Sequence, residues 1–537
     1  MVKGTTYVLA LSLVIACSAL RLRGGAKALK PEFHTSDRCF ACHNELKTQS
    51  GRDISIGLAW RSSIMANSAR DPYWQASVRR ESIDHSPASK DIENECSVCH
   101  MPVAHYEAKV EGKGAEIFKY LPFDADQKGS APAEDGVTCS ICHQITNEKL
   151  GVRESFNGGF VVDSPKTKND RPEYGPFEVT PDRQHVMDTS TGGFQPTYAP
   201  HIRDSALCGT CHQLYTTALD AEGKKIGSLP EQMPYLEWQH SDYPGRYTCQ
   251  ECHMPLVNEV VHVSSVLGAP RSGMHQHVFV GGNFLLQGVL NRYRNELDVA
   301  ALPQELSAAA EGTVAFLQSQ SARIEIKDVQ EDSSSLQLHV LVRNLTGHKL
   351  PTAYPSRRAW LHVTVRDRSG SEVFESGKLN SDGSIVGNDN DADPLRYEPH
   401  YREITSADQV QIYESILGDH AGHVTTGLLS AVSYLKDNRI IPTGFDKTTA
   451  ERDIAVIGDA ADDPGFIAGE DAVQYSVPLS GEGPYRIEVE LLYQPIGFRW
   501  AHNLEFYKAM EPQRFVGYYD SMASEATTVL ARAEAVR

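Results

Sequence analysis

Five copies of Cys-x-x-Cys-His carry the chemistry of this 537-residue chain. They are Cys39, Cys42 and His43; Cys96, Cys99 and His100; Cys139, Cys142 and His143; Cys208, Cys211 and His212; and Cys249, Cys252 and His253. Ten of the 11 cysteines lie in these motifs, and the eleventh is Cys17. The spacing is that of c-type haem attachment, in which two thiols add across the porphyrin vinyl groups and the next His reaches the iron. Zinc also uses Cys-x-x-Cys half-sites, but in pairs. Here the number is odd, and His follows the second Cys every time. The sequence therefore predicts five covalently bound haem c groups and no disulfide.

The motifs fix His43, His100, His143, His212 and His253 as proximal iron ligands. The sixth position decides between carrier and catalyst, because a second strong ligand leaves the iron low-spin while an open position admits substrate. Sixteen histidines lie outside the motifs, nine of them before residue 300: His34, His85, His105, His185, His201, His240, His262, His275 and His277. That supply is ample for five irons. His348, in a loop between two predicted strands, is a further candidate to cap a haem across a domain boundary.

The elements that must hold these groups fall into two kinds. All five motifs lie between Cys39 and His253, in sequence rich in Pro and Gly, where covalent haem discs would supply much of the core. Asp71-Pro72 reads as an N-cap followed by Pro at the first helical position, and further helices are expected over 283–296 and 303–319. After residue 320 the pattern alternates with period two, as in Ala322-Arg-Ile-Glu-Ile, Leu336-Gln-Leu-His-Val, Trp360-Leu-His-Val-Thr and Tyr485-Arg-Ile-Glu-Val. Such runs between turn signals indicate antiparallel strands packed as a sandwich. The Ala-rich end, 520–536, is expected to be helical. The fold class is α+β: a mostly helical or irregular multihaem domain over 30–300, a helical connector over 301–320, and a β-sandwich-like domain over 321–537. Asp389, Asp391 and Asp393 alternate as calcium loops do. With no Gly at the sixth position and His400 at the twelfth, an EF-hand is excluded, and an acidic solvated loop is expected.

Residues 1–25 read as a leader, with an apolar run from Tyr7 to Ala16 behind a single Lys. Val14-Ile15-Ala16-Cys17 fits a lipobox that would acylate Cys17 and attach the chain to a membrane; cleavage nearby by the general signal peptidase is the other reading. Either implies export, to the periplasm or to an outer-membrane or cell-surface lipoprotein. Lys and Arg number 51 and Asp and Glu 70, a net charge of −19. That balance argues against nucleic acid and anionic lipid as partners and allows steering toward basic redox proteins.

Several segments resemble known multihaem families. Cys39 to Ala66, with Trp60, Ser63 and the pair Met65-Ala66, is similar to the opening of bacterial multihaem cytochromes c related to the tetrahaem partner of hydroxylamine oxidoreductase. Met65 stands where that family usually has a distal His, which the resemblance makes a candidate iron ligand. His201, seven residues before Cys208, and His277, in His-Val-Phe-Val-Gly, match distal-ligand segments of such proteins. Asn344-Leu-Thr-Gly-His348-Lys-Leu-Pro351-Thr352 resembles a segment of β domains appended to bacterial multihaem cytochromes. The resemblance implies electron transfer between redox proteins in periplasmic or extracellular respiration. Two other classes stand beside it: a multihaem oxidoreductase with one open haem, and a polymerising or surface-attached structural cytochrome. No Cys-x-x-Cys-Lys variant, common at the active haem of ammonia-forming nitrite reductases, is present.

Overall fold

The chain is described by a computed structural model covering residues 33–123, 130–163 and 171–537. The leader and Cys17 lie outside these residues. The architecture is α+β, with short helices, loops and small two-stranded sheets through the first half, and two larger open sheets and a three-stranded one in the second. Among the described residues no helix is long and apolar enough to cross a membrane.

The first half is built from helices that begin on side-chain caps. Asp71 accepts from the Tyr73 and Trp74 amides and starts the helix Pro72–Asp84. Asn283 accepts from the Leu286 amide and starts Phe284–Arg292. Caps of this kind contribute about 1 kcal/mol each. Four of the five motif helices have only 5 to 8 residues, too few to be stable alone, so their placement comes from neighbours. Thr138 caps Cys139–Gln144, Asp204 caps Ser205–His212, and Thr248 forms a capping box with Glu251 at the head of Cys249–His253.

The second half is a sandwich. In one sheet Glu372–Ser376, Arg358–Arg366, Arg486–Gln494 and Thr528–Val536 pair antiparallel in that order, with Ile412–Tyr413 added to Arg358–Arg366. The other sheet runs Glu403–Ile404, Glu470–Pro478, Ser335–Asn344, Ala322–Glu331, and only its first pair is parallel. Alternate residues point inward: Leu336, Leu338, Val340 and Val342 meet Leu361, Val363, Ile487 and Val489 in one buried core. Each such side chain contributes roughly 1.5–3 kcal/mol on burial.

Two expectations are corrected. The Ala-rich end is not one helix: a helix spans Met510–Met522 and Thr528–Val536 is a strand. It pairs with Arg486–Gln494, whose edge would otherwise be unpaired, and that ladder outweighs the helix propensity of alanine. Nor is the acidic loop wholly solvated, since Asp391 is buried and meets Arg358 at 2.7 Å.

The two halves are joined by a buried ionic network. Glu237, from the motif-bearing half, accepts from the Lys349 amide at 3.0 Å and from the Thr352 hydroxyl at 2.5 Å. It also lies 3.3 Å from Arg439, which pairs with Asp437 at 2.7 Å, and Asp437 meets the Lys349 ammonium at 2.6 Å. This network fixes the loop 345–357, between strands Ser335–Asn344 and Arg358–Arg366, against the first half.

Candidate haem-binding cavity

All ten motif cysteines and all five motif histidines line one continuous cavity of ≈ 1500 Å³. Protein interiors pack as densely as organic crystals, with few voids larger than a water, so walls of this extent are shaped for a bound group. None of the ten cysteines is in a disulfide. Burial pushes the Cys96 thiol well up and Cys142 up to about 12, while a hydrogen bond with Cys208 brings Cys249 down to about 7.

Zinc needs its donors gathered around one point. Among the described residues the one group of three or more His, Cys, Asp or Glu with that geometry is His400, Asp463 and Asp471, far in sequence from every motif. That group is a hydrogen-bond network. His400 Nδ1 accepts from Gln411 at 2.8 Å and Asn438 at 3.2 Å. Both amides are oriented by their oxygens, which accept from the Tyr401 and Glu414 backbone N–H groups. His400 Nε2 therefore carries the proton and donates to Asp463 at 3.0 Å. Both ring nitrogens are spent.

The motif imidazoles are held in the opposite way. Nδ1 of His43 donates to the Val263 carbonyl at 2.6 Å, His100 to Ser68 at 3.1 Å, His143 to Tyr174 at 2.5 Å and His253 to Val280 at 2.6 Å. Each bond fixes the tautomer that leaves Nε2 with its lone pair free for a metal. Burial lowers all five, taking His100 and His212 to about 4, so they are neutral bases at pH 7.

Two further histidines of the lining lie beside motif histidines. The rings of His143 and His277 have centroids 6.3 Å apart with planes 19° from parallel, and those of His253 and His348 are 6.3 Å apart and 15° from parallel. Metal–imidazole bonds are about 2.0–2.1 Å long and the nitrogen lies about 1.1 Å from the ring centre, so two rings on one metal place their centroids about 6.2–6.4 Å apart. His277 Nδ1 bonds the His275 carbonyl and His348 Nδ1 the Lys349 carbonyl, again freeing Nε2. Burial lowers His277 to about 3 and His348 to about 4.

Other candidates are placed differently. Met65 lines the cavity, its carbonyl accepting from the Val137 amide beside the third motif. His275 also lines it, with Nδ1 on the Met254 carbonyl at 2.6 Å. His201 is not in the lining: its Nε2 lies 2.8 Å from the Ile145 carbonyl and its ring packs on Tyr174. His85, His105, His185, His240 and His262 also lie outside the lining.

The motifs are packed in a repeated way. The Cys139 amide donates to the Ser36 hydroxyl and the Cys249 amide to the Ser205 hydroxyl, both at 3.1 Å. Ser36 and Ser205 each stand three residues before the first Cys of a motif, and the amides they receive each follow a capping Thr. The first and third motifs thus pair as the fourth and fifth do, and thiols meet across them, Cys39 with Cys139 and Cys208 with Cys249. Cys99 meets Cys211, so the second motif lies beside the fourth. The repeated Ser-x-x-Cys and Thr-Cys contexts were visible in the sequence and would have predicted this pairing.

The fold has a solved likeness. A penta-heme cytochrome c552 from Thermochromatium tepidum superposes with a TM-score of 0.53 at 16% identity, covering 94% of this chain and 99% of that one. No protein-family model and no curated protein matches the chain.

Proposed function

We propose that this chain is an exported pentahaem c-type cytochrome that passes electrons between redox proteins in the periplasm or at the cell surface. The observation that carries this reading is the single cavity lined by ten free thiols and five neutral imidazoles, with two axial histidine pairs at iron-spanning distance. The solved likeness, a penta-heme cytochrome, agrees with it. The residues fit the group: Cys39, Cys42, Cys96, Cys99, Cys139, Cys142, Cys208, Cys211, Cys249 and Cys252 would hold it covalently. The motif histidines would bind iron from one face, with His277 and His348 opposite two of them and Met65 at a third. When bound, haem supplies reversible one-electron chemistry. The chain's own part is to exclude water, fix each imidazole and set the local charge. Mass spectrometry of denatured protein should show five haem increments; four or fewer would refute the assignment.

A second reading is favoured by one observation. The described ring pairs with axial spacing are two, while the motifs are five. An iron without a second protein ligand would leave a position open to substrate, as a multihaem oxidoreductase requires. Rapid carbon monoxide binding by the reduced protein, with a high-spin ferric signal, selects this reading; neither signal selects the carrier.

A further inference from the structure

Arg357 and Arg358 are neighbours with opposite fates. Arg358 is buried and fully engaged, by Gln494 at 2.8 Å, Asp391 at 2.7 Å and the Gly383 carbonyl at 3.2 Å. Arg357 turns into the haem cavity. Its Nη1 donates to the Thr352 carbonyl at 3.0 Å, and among the described residues no carboxylate pairs with it. A guanidinium has five donors in a planar fork, and the Thr352 carbonyl takes one of them while the half-buried side chain lines the cavity. Leaving such a charge without an anion is costly in a low-dielectric site.

Its position is defined from two sides. Arg357 belongs to the same loop as His348, and Nη1 lies 3.8 Å from where a Gly282 side chain would begin. Gly282 is two residues beyond Val280, whose carbonyl holds His253. Tyr493 fixes the same corner, donating to the Gly282 carbonyl at 3.1 Å. Arg357 therefore stands beside the His253–His348 pair. What the cavity would bring to that spot is a haem edge, and haem carries two propionate carboxylates.

Resting on the haem assignment, we propose that Arg357 is the propionate clamp of the haem on the fifth motif, and that its charge holds that haem at a higher reduction potential. Planar carboxylate recognition is what the arginine fork does best. A fixed positive charge favours the reduced iron, which carries one more electron. The β domain would then supply the fifth haem with both its distal ligand and its charge compensation.

The test is a spectroelectrochemical titration of full-length, haem-loaded protein carrying Arg357→Gln. The fifth haem is identified by the shift that His348→Met imposes on it. Removing the charge should weaken its reduction about tenfold, about 59 mV for one electron, with smaller movement elsewhere. Arg357→Lys loses the fork but keeps the charge, on which the potential depends, and should hold the potential within about twofold. An unmoved potential in the Gln variant overturns the proposal. So does a tenfold fall in the Lys variant, which decides the matter alone if the Gln variant does not fold. Haem counting by mass spectrometry on the same samples separates the two failures: fewer than five haems on the wild type refutes the haem assignment, and five haems with an unmoved potential refutes the clamp.

Discussion

Replacing His348 with Ala should convert one iron in five from low to high spin. The ring lies 6.3 Å from that of His253 and nearly parallel to it, and alanine carries no donor that could span the gap. The magnitude follows from the protonation state. Burial lowers His348 to about 4, so at pH 7 only about one ring in a thousand is protonated, against about a quarter at the ordinary histidine value. The ligand is thus almost wholly available to iron, and its loss is unmasked by any competing proton equilibrium. Electron paramagnetic resonance of the oxidised variant should show one new high-spin centre, about one fifth of the iron, while mass spectrometry still counts five haems. The reduced variant should bind one more equivalent of carbon monoxide than the wild type. Thr346 Oγ1, 3.2 Å from His348 Nδ1, leaves a polar spot where added imidazole can seat, so imidazole should restore the low-spin spectrum. A variant whose irons keep the wild-type spin states would refute the argument that centroid spacing reports ligation.

His277→Ala should do the same to the haem on the third motif, and the double variant should show two high-spin irons by the same spectra. Met65→His should lower the potential of one haem alone if Met65 binds iron; unchanged potentials would reduce it to packing. Glu237→Ala removes the partner of Arg439 and of the Lys349 amide in a buried network and should cost about 3–5 kcal/mol, read as a lower urea midpoint. Burial alone would raise the Asp437 carboxyl, but Arg439 and Lys349 outweigh it and hold it at about 2. A depressed carboxylate contributes stability in full above its unfolded value near 4 and loses it as pH falls toward 2. Acid unfolding followed by circular dichroism should therefore move to higher pH in Asp437→Asn.

The motifs were legible because haem attachment constrains five consecutive positions, a local signal. Strands such as Leu336 to Arg343 and Trp360 to Arg366 were legible for the same reason, since alternation is local. Thr528–Val536 was not. Its alanines favour helix, and only the partner Arg486–Gln494, 35 residues or more away in the register, makes it a strand. His277 and His348 stood out only as candidates, because an axial ligand is defined by a ring arriving from 95 or 134 residues away. His201 had the same standing in the sequence, and the fold spends its Nε2 on Ile145. Arg357 could not be told from Arg358 by composition, because which guanidinium turns inward depends on the Gln494 and Asp391 contacts.

The cavity walls run from Arg38 at one end of the described chain to Ile496 near the other. The lining is therefore complete only when nearly the whole described polypeptide has folded and the loop 345–357 has docked. The ten motif cysteines are half-buried in that fold, so each attachment point is partly screened by residues that come from distant parts of the chain.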